Sequence, residues 1–115
     1  MSERKAKIGA AKAAEVGEEY LSDMRARVRI STARPTTDGE LRDLILAARA
    51  DLARVGILPE RAADETDPLI KQVISTYIKA EFGLENEDAA EYRASYQMQR
   101  AELSNATKYT TPREG

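Results

Sequence analysis

The stretch Asp67-Pro-Leu-Ile-Lys-Gln-Val-Ile-Ser-Thr-Tyr-Ile-Lys-Ala-Glu-Phe82, followed by Gly83, decides the fold. Its large apolar residues recur at steps of three and four, which places them on one side of an α-helix. They are Leu69, Ile70, Val73, Ile74, Tyr77 and Ile78. A helix with so wide an apolar face is not stable alone in water, so we expect the other segments to pack around it.

Both ends of this helix carry local signals. Asp67 can accept hydrogen bonds from the first free backbone N–H groups, and Pro68 has the fixed φ that suits the first helical position. Gly83 can take the left-handed conformation that ends many helices. The sequence therefore predicts a helix over residues 67–82.

A second amphipathic helix is predicted from Asp38 to Val55. The sequence Thr37-Asp-Gly-Glu40 is a capping box, which satisfies free N–H groups at a helix start. Gly56 then suits a left-handed position, and Ile57 can fold back on Leu52 as in a Schellman end. The buried side is predicted to hold Leu41, Leu44, Ile45, Ala48, Leu52 and Val55, and the outer side Arg42, Asp43, Arg49 and Asp51.

Residues 20–30 are compatible with a helix or with a strand. Arg25, Arg27 and Arg29 alternate with apolar residues as in a strand, while the apolar residues before them have helical spacing. We predict a helix ending near Ile30, because the chain offers no other strand for pairing and an isolated strand is unstable. The three arginines are then expected to be solvated on different faces of the helix, and a contact to phosphate is the alternative.

A final helix is predicted over about residues 87–105, capped by Asn86. Its apolar stripe is narrow and consists of Ala89, Tyr92, Tyr96 and Leu103, with Gln99 where an apolar residue is expected. Tyrosines on such a stripe are typical of a core edge or a subunit interface, with the ring buried and the hydroxyl in water. Tyr109 and Arg113 are residue types that often anchor tails on partners. The candidate residues for an interface with another subunit or another protein are therefore Tyr92, Tyr96, Tyr109 and Arg113.

These segments predict an all-α fold, a small bundle of about four helices with extended ends. We expect residues 1–19 to be an N-terminal extension, 20–105 the helical domain and 106–115 a tail, with a loop over 31–37 and a polar connection over 58–66. The predicted core is Leu41, Leu44, Ile45, Leu52, Ile70, Val73, Ile74, Tyr77 and Ile78. The extension lacks the bulky apolar face that a membrane anchor needs.

The composition favours an assembly. The chain has 115 residues, enough for one domain, and 42% of them are hydrophobic. Nineteen of those hydrophobic residues are alanine, however, and the chain has no Trp and one Phe. A small domain with so thin a core often gains stability by associating with other subunits, although a small independent bundle is the alternative.

The residue types also restrict the chemistry. The chain has no Cys and no His, so thiolate or imidazole metal sites, Cys nucleophiles and His-based acid–base catalysis are excluded. It has no Gly-rich phosphate loop and no nucleophile elbow. We therefore expect neither enzymatic activity nor a cofactor or metal. No apolar run reaches the length of a membrane span, and we expect a protein that is made in the cytoplasm.

The net charge of −2 is unevenly distributed, because residues 1–35 carry eight basic and five acidic side chains. This bias is too mild to indicate a dedicated nucleic-acid binder. A small cytoplasmic regulatory or antitoxin-like binding module, with a basic N-terminal arm that contacts DNA, is one hypothesis for the function. The other comes from a family resemblance.

In the order and spacing of its elements, the chain resembles the small head-to-tail connector, or adaptor, proteins of long-tailed bacteriophages. The resemblance covers roughly residues 20–105 and departs at residues 1–19, which look like an added extension, and at the 31–37 loop, which is longer than usual. The stretches that carry it are Glu40–Leu52, Val55–Ile57, Asp67–Ile74, Tyr77–Gly83 and Tyr92–Leu103.

The resemblance implies a structural, non-enzymatic protein of the virion neck, between head and tail. About 12 copies would form a homo-oligomeric ring under the portal protein and extend the DNA channel. The ring would let packaged DNA pass non-specifically, and it would present a surface to a stopper or tail-completion protein. An acidic main body suits such a channel, because a basic lining would bind phosphates and retard the DNA.

Overall fold

The computed structural model describes residues 15–29, 37–82 and 88–112. Over these residues the fold is all-α, as predicted, with four longer helices and two of a single turn. The helices are α1 (Glu18–Arg29), α2 (Asp38–Arg54), α3 (Pro59–Ala62), α4 (Pro68–Phe82), α5 (Ala89–Ser104) and α6 (Thr107–Thr110). None of the described helices is long and apolar enough to cross a lipid bilayer.

Helix α4 is the central element, as its sequence predicts. It packs most extensively against α5 and also against α2 and α1. Its Ser75 and Thr76 are buried too, and both hydroxyls donate to the carbonyl oxygen of Gln72. Since those hydroxyls are satisfied inside the helix, α4 can be covered on nearly all sides at little cost.

The core is one cluster shared by all six helices. Among the predicted core positions, the fully buried ones are Leu41, Ile45, Leu52, Ile70, Val73, Ile74 and Ile78. Leu44 and Tyr77 are partly buried and pack against the same cluster. Leu69, expected on the buried face of α4, is instead 53% exposed, because it lies about 100° around the helix from Ile70.

The starts of α2 and α4 are capped by the predicted residues, Thr37 and Asp67. The Asp67 carboxylate accepts hydrogen bonds from the backbone N–H of Leu69 at 2.9 Å and of Ile70 at 3.2 Å. At the start of α2, Thr37 Oγ1 accepts from the N–H of Glu40 at 3.1 Å. These bonds satisfy N–H groups that have no partner within the helix.

The end of α2 is a Schellman turn. Gly56 has a φ of +99°, the left-handed region that glycine occupies without a steric penalty. The Ile57 N–H donates to the Leu52 carbonyl at 3.1 Å, and the Gly56 N–H donates to the Ala53 carbonyl at 3.1 Å. Ile57 and Leu52 are both buried in the core, so the turn returns the chain to the bundle.

The start of α5 differs from the prediction. The helix begins at Ala89, and Asp88 rather than Asn86 occupies the N-cap position. Asn86 lies outside the described residues, as do Gly83 and Leu84. The acidic residue in the first turn is therefore Glu91.

The segment predicted to be a tail is partly ordered against the bundle. Residues 107–110 form α6, and Tyr109 is only 3% exposed. The Tyr109 carbonyl accepts a hydrogen bond from the Leu58 N–H at 2.8 Å. The sequence pattern misses this contact because a single helical turn has no periodicity, and its stability comes from the elements it touches.

One expectation about the arginines is wrong. Arg49, predicted on the outside of α2, is 4% exposed. The Arg25 and Arg27 side chains are 29% and 41% exposed, and they form surface ion pairs with Asp38 and Asp23 respectively. The side chain of Arg29 and residues 30–36, including the predicted loop, lie outside the described part of the chain.

The contacts between helices fix their directions. Arg25, late in α1, meets Asp38 at the start of α2, so these two helices are antiparallel. The end of α2 and the segment after α5 meet at the same end of the molecule, through the bond between Leu58 and Tyr109. Helices α2 and α5 therefore run in the same direction, while α4 runs back between them.

Candidate interaction surface

The described side chains show no arrangement for metal chemistry. In residues 15–29, 37–82 and 88–112, no group of three or more acidic side chains could hold a metal ion. The polar clusters join helices to one another instead. The candidate functional residues differ in the contacts that they make within the chain and in how exposed they are.

Tyr96, a candidate interface residue on α5, belongs to a cluster around Asp51 of α2. The Tyr96 hydroxyl and the Arg100 guanidinium, the latter at 2.8 Å, both donate to Asp51 Oδ2, and Arg54 donates to Oδ1 at 2.6 Å. Desolvation opposes ionisation of Asp51, but hydrogen bonds from these three partners hold the pKa of its carboxyl below the usual range. Burial, reinforced by Asp51, raises the pKa of Tyr96. The cluster joins α5 to α2.

Tyr109 of α6 makes a corresponding contact with Asp67. Its hydroxyl donates to Asp67 Oδ2 at 2.9 Å, while the other oxygen of that carboxylate caps α4. The Lys108 amine lies 3.8 Å from the same Oδ2 atom. Burial, together with the hydrogen bond to Asp67, raises the pKa of Tyr109 to about 12. One carboxylate thus fixes the start of α4 and holds α6 in place.

The four candidate interface residues therefore occupy different settings. Tyr96 and Tyr109 are buried, and their hydroxyls bond to carboxylates of the same chain rather than to water. Tyr92 is partly exposed, with the Lys79 amine 5.8 Å from its ring centre. Arg113 lies outside the described residues. Their role at an interface with another protein stays a prediction.

Tyr96 and Gln99 show how the narrow apolar stripe of α5 packs against the rest of the bundle. The Tyr96 ring packs edge-on against Tyr77 of α4, with ring centres 5.2 Å apart. Gln99, placed where an apolar residue is expected, donates from its amide to Ser95 Oγ at 3.1 Å. Its Oε1 is buried and accepts no hydrogen bond from the described residues. The edge of the core at α5 is thus partly polar.

The outward side of α5 is apolar, which the sequence analysis missed. Directly opposite its buried stripe is an exposed row that we call the α5 outer face, consisting of Ala90, Ala94, Met98 and Ala101. Met98 is 67% exposed, more than any other large hydrophobic residue in the described part of the chain. Charged residues flank the row, with Arg93 on one side and Glu91 and Glu102 on the other. The three- and four-residue spacing was visible in the sequence, but alanine contributes little to an apolar pattern.

The outward side of α2 has a related composition. Here the exposed row, which we call the α2 outer face, contains Asp43, Ala47, Ala50 and Arg54, with the half-buried Leu46 beside it. Asp43 is near the start of the helix and Arg54 is its last residue. This face therefore has a small apolar centre, an acidic N-terminal end and a basic C-terminal end.

The segment before α1 is attached to the bundle through Arg49. The Arg49 guanidinium donates to the Glu15 carbonyl at 2.6 Å and to Glu65 Oε2 at 3.2 Å. The same Glu65 oxygen accepts from the Gly17 N–H at 2.8 Å, and Val16 packs against the core. Burying the arginine is tolerated because its charge is paired and hydrogen-bonded. Residues 15–17 are thus part of the body rather than of the predicted extension.

Comparison with known protein families identifies a match. The model of a protein family described as "Phage connector protein" matches residues 20–110, which include almost all of the helical body just described. No curated protein and no solved structure matches the chain. The family match covers more than half of the chain and includes Tyr109.

Proposed function

This chain belongs to the phage connector protein family, and from that premise we propose that it is a structural head-to-tail connector. Copies of it form a ring beneath the portal protein, in the neck of the virion. The ring extends the channel through which DNA passes and offers a docking surface to a stopper or tail-completion protein. The observation that carries this proposal is the family match over residues 20–110.

The described structure supports a structural rather than an enzymatic role. Its buried charged groups, Arg49, Asp67 and the partly buried Asp51, bond to partners within the chain and hold helices together. The carboxylates of Asp51 and Asp67 each accept a hydrogen bond from a tyrosine of another helix. These groups therefore act as structural contacts between helices. Among the described residues, two different helix faces are exposed and have apolar centres, as expected of a subunit that is covered by neighbours.

Binding to the portal is the direct test. The purified chain, alone and mixed with the portal protein of the same virus, would be analysed by size-exclusion chromatography with light scattering and by electron microscopy. We expect several copies of the chain to join each portal and to appear as an added ring. The portal alone is the control, and its images should lack the added layer.

The regulatory hypothesis predicts a different result. A stable small oligomer that does not bind the portal protein and that retards a DNA duplex in a gel would contradict the connector proposal. A chain that is monomeric alone but forms a ring on the portal agrees with it.

A further inference from the structure

We propose that Met98, on the α5 outer face, is a site of reversible oxidation in the free chain. A peroxide oxidant converts its thioether to the sulfoxide while the chain stays folded, and the buried Met24 stays reduced. Met98 lies outside the core cluster of the described residues, so its sulfur has no part in holding the bundle together. The inference concerns the chain before assembly and does not depend on the proposed ring.

The two methionines in the described part of the chain differ in exposure. Met98 is 67% exposed, whereas Met24 of α1 is 0% exposed and belongs to the core cluster. A dissolved oxidant has to touch the sulfur atom to react with it. It therefore reaches Met98 in the native state but reaches Met24 only when the bundle opens. The third methionine, Met1, lies outside the described residues.

Small side chains lie next to Met98 on the surface of α5. Its neighbours one turn away along the α5 outer face are Ala94 and Ala101, and both are exposed. A long side chain on a helix leans over the turn before its own Cα, which for Met98 is the turn that holds Ala94. The methyl group of an alanine is too small to cover the sulfur. The chain also has no Cys, so no thiol competes for the oxidant.

The oxidation is a balanced two-electron step with hydrogen peroxide as the oxidant. A lone pair of the Met98 sulfur attacks one peroxide oxygen, and the S–O bond forms as the O–O bond breaks. The hydroxide that leaves takes the proton from the transferred oxygen and becomes water. The sulfur has then lost two electrons to the peroxide. Methionine sulfoxide reductases reverse this change, and the exposure of Met98 gives them access to the sulfoxide.

Oxidation at this position should leave the fold intact. A sulfoxide is polar and disrupts a hydrophobic core. Met98, however, lies on the side of α5 away from its buried residues, which include Tyr96 and Leu103. The added oxygen therefore stays in water. The α5 outer face loses its one large apolar side chain and becomes more polar.

Peptide mapping after peroxide treatment tests the proposal. Trypsin cleaves after Lys and Arg, so each methionine falls in its own peptide, Met1 in residues 1–4, Met24 in 13–25 and Met98 in 94–100. The purified chain is treated with hydrogen peroxide, and mass spectrometry follows the gain of one oxygen in each peptide. Met98 should be oxidised at least about tenfold faster than Met24. Sulfoxide reductases should then return the 94–100 peptide to its original mass.

Two controls separate the effect of burial from the reactivity of the thioether. In concentrated urea, Met24 and Met98 should be oxidised at similar rates, because both are then exposed to solvent. The M98L variant keeps an apolar side chain of similar size, and its Met24 should stay reduced under the native treatment. Circular dichroism melting of the chain oxidised at Met98 should agree with that of the untreated chain to within about 2 °C.

Each outcome supports or overturns the proposal. Selective and reversible oxidation of Met98 with an unchanged melting curve supports it. Equal oxidation rates for Met24 and Met98 in the native chain, or a sulfoxide that resists the reductases, overturn it. A clear fall in melting temperature when Met98 alone is oxidised also overturns it, since that would show a packed side chain. The portal protein takes no part in these measurements, so the connector function is tested separately.

Discussion

Two aspartates link the helices to one another. The sequence pattern predicts each of these helices but not the contacts between them. Asp51 accepts from Tyr96 and Arg100 of α5, and Asp67 both caps α4 and accepts from Tyr109. A hydrogen bond to an ionised group contributes more than one between neutral groups, because the charge is only partly screened inside the protein. At the scale of single residues, these carboxylates attach the C-terminal part of the chain to the rest.

The bond between Tyr109 and Asp67 can be tested by removing one hydroxyl. Tyr109→Phe should lower the free energy of unfolding by about 1.5 to 3 kcal/mol, because it removes a buried hydrogen bond to a charged acceptor. Tyr77→Phe is the matched control, with an expected change below about 0.5 kcal/mol, since the Tyr77 hydroxyl has no described partner. Urea denaturation measures both. An equal loss of unfolding free energy in the two variants would show that the hydrogen bond between Tyr109 and Asp67 does not stabilise the fold.

The Asp51 cluster predicts a dependence of stability on pH. The pKa of Asp51 is lower in the folded chain than in the unfolded chain, so the unfolded chain binds the proton more readily. The ionised Asp51 carboxylate therefore stabilises the fold fully at pH values above the unfolded pKa of about 3.8. This stabilisation is lost as pH falls through the lower folded pKa. Asp51→Asn should therefore be clearly less stable than the natural chain at pH 7, and the difference should shrink below about pH 4. Melting curves at several pH values would check this, and a difference that is constant with pH would contradict it.

Residue-scale reasoning from the sequence succeeded where a signal is local. The caps at Thr37 and Asp67 and the turn at Gly56 follow from short-range stereochemistry, so they could be predicted without knowing the fold. The burial of Arg49 could not, because it depends on Glu65 and on the segment before α1, which are distant in sequence. An arginine on a helix is usually solvated, and only its partners justify burying it.

At the scale of elements, the central helix α4 was the most predictable part of the fold. Its apolar face is wide and its start is fixed by Asp67 and Pro68. Helix α6 was missed because four residues have no useful period, and Leu69 was misplaced because it is at the margin of the apolar face. The outer faces of α2 and α5 were missed because alanine is common on exposed and on buried surfaces alike.

The element before α1 yields a prediction about truncation. Deleting residues 1–14 should leave the melting temperature nearly unchanged, since the sequence there has few large apolar residues. Deleting residues 1–17 should lower it clearly, because Val16 leaves the core and Arg49 loses the Glu15 carbonyl. Thermal denaturation of the two truncated chains compares them directly. Equal melting temperatures would place the start of the folded body after residue 17, nearer to the boundary predicted from sequence.

At the scale of the whole molecule, the described chain is an elongated bundle with extents of 47 × 28 × 19 Å and two apolar outer faces on different helices. A single exposed patch would suit a dimer, whereas two different faces suit repeated head-to-tail association. The composition already indicated association through the high share of alanine.

The central claim is that copies of this chain form a ring between the portal and the tail, and electron cryomicroscopy of the virion neck tests it most directly. We expect a closed ring of helical bundles beneath the portal, into which α1, α2, α4 and α5 fit with their axes roughly along the channel. A neck map in which the portal is followed directly by other proteins, with no density that fits this bundle, would contradict the account.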